Sequence, residues 1–228
     1  EDIIYFGDTA RVPYGISSRE TVLRFSIEDT LFLLKHDIKL ICVACNTASS
    51  VALPVIKNHF KVPMVGVITP GAREAVYATR NKRIGVIGTR GTVKSRAYEN
   101  EITQLDPGVC VHAVACPMFV PFVEEGWLEG KVVEEVARTY LKPLQDARVD
   151  TVILGCTHYP LLKPVIRSIM GPGVILVDSA KQVAIEVKKI LASEAYSELL
   201  KCCLQEADGA NDVTHDEVSL FTPNSHTI

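Results

Sequence analysis

The chain has 228 residues, 47% of them hydrophobic and 22% charged, enough to bury one large core or two smaller ones in a globular fold. A formal net charge of -3, with no Lys/Arg cluster interleaved with aromatics, argues against nucleic acid as a primary partner. No apolar run approaches the roughly 18 residues that span a bilayer, and the opening residues EDIIYFGD have neither the basic start nor the cleavage site of a secretory signal, so no membrane partner and a cytoplasmic location are expected. Seven cysteines are an odd number and form no Cys/His quartet of the zinc type, so they read as reduced thiols.

Taken in chain order, short β-branched apolar runs alternate with stretches of helical periodicity, the pattern of parallel strands joined by helical crossovers. Strands are predicted at 3–6, 40–44, 64–67, 83–87, 109–114, 151–154 and 174–177. Ser17 and Glu20 form a capping-box pattern opening a helix to about Lys35, and a second helix begins after Cys45. Pro117 and Gly126 bracket a short helix, residues 131–147 form a longer amphipathic one, and residues 161–170 form another that stops at Gly171-Pro172. The alternation runs to about Leu191. Beyond it, a helix holding Cys202-Cys203 and a late strand near 218–221 are expected, with no assignable chemistry.

Two segments echo one another, LICVACNTAS around Cys45 and VILGCTHYP around Cys156, separated by close to half the chain. Each is an apolar strand ending in a Cys followed by hydroxyl or amide side chains. In open parallel sheets, ligands bind beyond the carboxyl ends of the strands, where loops and helix starts present unpaired backbone donors. Cys45 and Cys156 fall there, whereas Cys42 and Cys110 sit inside apolar runs and read as structural. A helix start or nearby cation brings a thiol toward working range. His158 is the candidate partner of Cys156, and Asp8 in GDTARVPYG is the candidate carboxylate for Cys45, with Pro13-Tyr14-Gly15 as a turn able to close over a small ligand.

The segments GDTARVPYG, VACNTAS, GVITPGAREA, IGVIGTRGTVKSRAYE and LGCTHYPLL, spread from about Ile3 to about Val187, closely resemble the cofactor-independent aspartate/glutamate racemase family, and glutamate racemase within it. The resemblance implies an α/β fold of two similar flavodoxin-like domains, doubly wound around mostly parallel sheets, with the active site in the cleft between them. The first domain is expected to span 1–68 plus 178–228 and the second 69–177. It implies two-base racemisation of glutamate with neither pyridoxal phosphate nor metal, one cysteine removing the α-proton and the other returning one to the opposite face. Cys45 and Cys156 fall on the two cysteines, and Asp8, Glu124 and His158 on supporting catalytic positions. Tyr14, Gly15, Asn46, Thr47, Thr89, Thr92, Thr157 and His158 fall on substrate-binding positions. The family role would be supply of D-glutamate for peptidoglycan, and a homodimer is expected.

The family also opens with an Asp-Ser-Gly motif on an additional strand, and this sequence starts after it, which puts activity of the chain as it stands in question. Two alternatives remain open: an aspartate- or hydantoin-type racemase or arylmalonate-type decarboxylase of the same superfamily, and an inactive carboxylate-binding or interaction protein. Decarboxylation needs protonation on one face only, so two cysteines favour racemisation.

Overall fold

The computed structural model describes residues 1–193; the expected Cys202-Cys203 helix and late strand lie outside these residues. Two 3-10 turns, Thr9–Arg11 and Tyr14–Ile16, precede α1 (Arg19–Leu33), β1 (Ile41–Val43), α2 (Asn46–Val51), α3 (Leu53–Ile56), β2 (Met64–Gly66) and α4 (Ile68–Ala78). There follow β3 (Arg83–Gly88), α5 (Arg90–Ser95), α6 (Ala97–Leu105), β4 (Cys110–Ala115), α7 (Phe119–Glu124), α8 (Lys131–Asp146) and β5 (Thr151–Gly155). A third 3-10 turn (Tyr159–Leu162), α9 (Lys163–Met170), β6 (Ile175–Val177) and α10 (Ser179–Leu191) complete the described chain.

The strands make two parallel sheets, β1-β2 and the four-stranded β4-β3-β5-β6. In the larger sheet the chain moves from β3 outward to β4, then crosses back to β5 and β6. The order therefore reverses between β3 and β5, the topological position at which such sheets open a ligand crevice beyond their carboxyl ends. The register pairs Gly88 with Gly155 at that point. A Cβ built on Gly155 would stand 2.6 Å from the Ile87 carbonyl oxygen, so only glycine lets the two strand exits lie this close.

Period-2 side-chain alternation explains why these strands read as unbroken apolar runs. Ile87, Val152 and Leu154 face one buried cluster with Phe119, Leu141, Leu144, Tyr159 and Ile166. Ile84, Val86 and Ile153 face another with Ala72, Ala75, Tyr98, Ile102 and Val183. Val65 of β2 belongs to this second cluster, which therefore joins both sheets into one packed unit. Each such side chain, fully buried, contributes about 1.5–3 kcal/mol.

Several expectations are corrected. Residues 3–6 form no strand; Ile3 is 88% and Tyr5 90% exposed, because no ladder partner lies beside them in the two-stranded sheet. The first helix is capped one residue later than expected, by the Ser18 side chain accepting from the Thr21 amide at 3.1 Å. Cys42 and Cys110 are exposed, not core: Cys42 points to the uncovered face of short β1, and Cys110 opens the edge strand β4 beside His112. Cys42 and Cys45 stand in C-x-x-C spacing, and both are free thiols. Residues 159–170 split into a 3-10 turn and α9, which stops at Gly171 with φ +88°, as expected.

Candidate active site

The carboxyl ends of β1, β3 and β5 each lead into a turn that begins with a hydroxyl or thiol side chain. After β1, Cys45 is the N-cap of α2, its Sγ accepting from the Ala48 amide at 3.5 Å. After β3, Thr89 caps α5, its Oγ1 accepting from the Thr92 amide at 3.2 Å. These two helix starts face each other. Thr47 Oγ1 lies 3.0 Å from Thr89 Oγ1 and 3.4 Å from Thr92 Oγ1, and the last two are 3.1 Å apart, a closed triangle of buried hydroxyls. Gly15 packs directly on Thr89, and Gly91 on Thr47, which draws the Tyr14–Ile16 turn, α2 and α5 into one seam.

After β5 comes Cys156, 7% exposed, with its Sγ 3.6 Å from His158 Nδ1. His158 Nδ1 also lies 3.4 Å from Thr157 Oγ1, and its Nε2 is hydrogen-bonded to Glu124 from α7. With Nε2–H held by a carboxylate, Nδ1 is left as an acceptor facing the thiol. The exit is fixed from behind by the buried Tyr159 hydroxyl, which donates to the Cys116 carbonyl at 2.8 Å.

Burial dominates the electrostatics of both sulfurs. It pushes the Cys156 thiol up to about 12, against hydrogen bonds from the His158 backbone and Thr157, and a charge on Cys45 raises it further. Burial likewise raises Cys45, opposed by hydrogen bonds from the Ala48 and Thr47 amides and the Thr47 hydroxyl. The two sulfurs are thus within Coulombic reach, and a thiolate at one disfavours a thiolate at the other.

The structure brings Cys45, Asn46, Thr47, Thr89, Thr92 and Gly15 together on one side, and Cys156, Thr157, His158 and Glu124 on the other. Asp8 does not meet Cys45. Its carboxylate is taken up by Arg11 Nε at 2.8 Å and by the Tyr14 hydroxyl, because the short 3-10 turn folds Arg11 back onto it. Tyr14 also donates to Asp29 at 2.9 Å, and Arg11 reaches Asp29 at 2.6 Å, so the Tyr14 hydroxyl is anchored between two carboxylates of a surface network.

Arg11, Asp29 and above all Tyr98 were not legible as site residues. Tyr98 lies in the first turn of α6, between Ala97 and Glu99, and nothing in its sequence neighbours marks it as a site residue. Among the described residues no group of three or more His, Cys, Asp or Glu is placed to hold a metal ion, and no helix is long and apolar enough to cross a membrane. A separate cleft of about 290 Å³ between α4 and α10 contains none of the site residues; its Arg73 and Glu186 pair at 3.2 Å, and its Gln182 and Glu74 at 2.8 Å.

Two like acid–base groups, one at a strand exit of each sheet, are suited to an isomerase that moves a proton across a carbon centre, and an isomerase of the racemase class is what the relatives define. The chain belongs to the Asp/Glu/Hydantoin racemase family, whose model matches residues 1–187. It is 56% identical over 191 residues to the glutamate racemase of Geobacter metallireducens, covering 84% of this chain and 71% of that one. It is 44% identical over 230 residues to the Listeria innocua glutamate racemase, covering 100% of this chain and 81% of that one. Among solved structures, the Francisella tularensis glutamate racemase in complex with D-glutamate superimposes with a TM-score of 0.80 at 37% identity, over 86% of this chain and 73% of that one.

Proposed function

We propose that the chain interconverts L- and D-glutamate with Cys45 and Cys156 as the two acid–base groups, and supplies D-glutamate for peptidoglycan in the cytoplasm. The observation that carries this reading is the pair of thiols at two strand exits, Cys45 capping α2 after β1 and Cys156 beside His158 after β5. Burial raises both thiols and a charge on Cys45 disfavours one on Cys156, so the doubly charged pair is excluded and the working form is the scarcer one with a single thiolate and a single thiol. That is the state a two-base inversion requires. The thiolate takes the α-proton and becomes a thiol; the carbanion takes a proton from the opposite thiol, which becomes the thiolate. The charge has crossed the site and nothing is consumed, so the step needs neither pyridoxal phosphate nor metal.

His158, oriented by Glu124, is positioned to accept the Cys156 proton. Asn46, Thr47, Thr89, Thr92, Thr157 and the Gly15 backbone would bind the substrate carboxylates and amino group, with preorganised donors stabilising the developing negative charge. Asp8 enters indirectly, by anchoring Tyr14. The site would lie between one half built from 1–68 plus 178–228 and another from 69–177, in a homodimer.

The test is incubation of the chain with L- or D-glutamate in deuterium oxide. Racemisation with α-deuterium incorporation is expected, lost by about 10²–10⁴-fold in both Cys45→Ala and Cys156→Ala. Undiminished racemisation in either variant overturns the two-thiol reading. Turnover of aspartate in preference to glutamate would assign the other acidic substrate, and substrate protection of both thiols without exchange would make the chain a binder.

A further inference from the structure

Tyr98 is 3% exposed, and its hydroxyl donates to Asn46 Oδ1 at 2.7 Å, a buried bond from α6 to the first turn of α2. The ring is locked from several sides. A Cβ built on Gly155 would meet its Cε2 at 3.3 Å, and one built on Gly71 would meet its hydroxyl at 3.3 Å, so neither β5 nor α4 leaves room for the phenol to turn away. Burial above all, then the charges of Cys156 and Asp178, push the phenol well above its ordinary value. It therefore stays protonated and remains a donor.

A carboxamide has two unlike ends, an oxygen that accepts and a nitrogen that donates. A fixed phenol donor selects the oxygen. The Asn46 Nδ2 then takes no partner among the described residues. It is not sealed off either, since Ser26 Oγ is the only fully buried side-chain polar atom there that lacks one. Nδ2 thus keeps two N–H donors to offer, on a residue only 4% exposed and next to Cys45 in the chain.

We propose that Tyr98 is a positioning residue of the racemase: its hydroxyl fixes the Asn46 carboxamide so that Nδ2 is presented to a substrate carboxylate. The proposal rests on the reading of Asn46 as a substrate contact. Without the phenol the amide is free to turn, and its oxygen, an acceptor with partial negative charge, would then face the carboxylate with no proton to offer. Because a carboxylate is present before and after proton transfer, the contact is uniform binding, and its loss raises KM without lowering kcat to match.

The experiment is a double-mutant cycle of Tyr98→Phe and Asn46→Ala in the racemisation assay, with melting curves run alongside. Tyr98→Phe keeps the ring and is expected to raise the KM for glutamate about tenfold, the effect of one buried hydrogen bond, with kcat within about threefold. Asn46→Ala is expected to raise KM at least as much, and Tyr98→Phe to add nothing in the Asn46→Ala background. A KM increase from Tyr98→Phe that persists undiminished in that background overturns the proposal, as does an unchanged KM in Tyr98→Phe when Asn46→Ala raises it. If Asn46→Ala itself leaves KM unaltered, it is the reading of Asn46 that fails, and the proposal with it. A crystal structure of the wild-type chain with D-glutamate decides the matter without variants. A carboxylate oxygen within about 3 Å of Nδ2, with Oδ1 still on Tyr98, supports it; a carboxylate that bypasses Asn46 overturns it.

Discussion

Gly15 stands so close to Thr89 that a Cβ built on it would lie 2.5 Å from the Thr89 Cβ and 2.6 Å from its Cγ2. Both residues are buried, and Thr89 is held in turn by Thr47 and Thr92. Gly15→Ala must therefore force the Tyr14–Ile16 turn away from α5, an overpacking cost of about 1–3 kcal/mol. A lower melting temperature together with slower glutamate racemisation is expected. Melting and rate both equal to wild type would mean that the seam is loose.

Glu124 bonds His158 Nε2, on the far side of the ring from Cys156. Glu124→Gln keeps the shape but can offer an N–H where the carboxylate only accepts, so it no longer dictates which ring nitrogen carries the proton. We expect kcat/KM to fall about tenfold or more, within the range for a general acid–base contribution. Since the enantiomers are equal in energy, the fall must be the same starting from L- or D-glutamate. Assays in the two directions check both statements.

Burial raises both thiols above the ordinary value of about 8.5, Cys156 to about 12. The base form is the thiolate, so raising the pKa makes the working form scarcer at neutral pH. The pH profile of kcat/KM, which reports the free enzyme, should climb through pH 8 with its acid-limb midpoint above 8.5. A midpoint at or below about 7 would show that burial does not dominate at either sulfur.

Asp150 ties the turn between α4 and β3 to the start of β5. Its carboxylate accepts from Thr79 Oγ1 at 2.6 Å and from the Arg80 and Asn81 amides at 2.7 Å each. Burial works to raise this carboxyl, but these bonds outweigh it and leave it below its ordinary value. A depressed folded-state pKa stabilises above the unfolded value of about 3.9 and stops doing so as pH falls through the lowered one. Asp150→Asn should cost about 1–3 kcal/mol at pH 7. The difference from wild type in urea unfolding should shrink at pH 3, and one that grows there would reverse the assignment.

Elements buried on two faces were the most readable part of the sequence. The runs at 83–87 and 151–154 suit strands covered on both faces, and β3 and β5 occupy them within one residue. The opening Ile3–Phe6 run has the same composition, yet pairing and not composition makes a strand, and no neighbour pairs with it. At the site, the Cys45 and Cys156 exits followed from strand polarity alone. That the Asp8 carboxylate bonds Arg11 and Tyr14 and not Cys45 was not readable, because both partners sit on short 3-10 turns that no periodicity announces. Tyr98 was invisible for a similar reason: its bond spans 52 residues of chain, and a buried tyrosine looks the same in sequence whether its hydroxyl serves the core or a ligand-facing amide.

Val65 and Ile84 come from different sheets but share one apolar cluster with α4 and α10. Prising the sheets apart would bring that shared interior into water, at about 25 cal/mol for every Å² of apolar surface uncovered. The two sheets should therefore melt together, in a single cooperative transition. Any widening of the crevice to admit substrate should come from the Thr47–Thr89 side, where hydroxyls can trade one another for water at little net loss, while the greasy side acts as the axle.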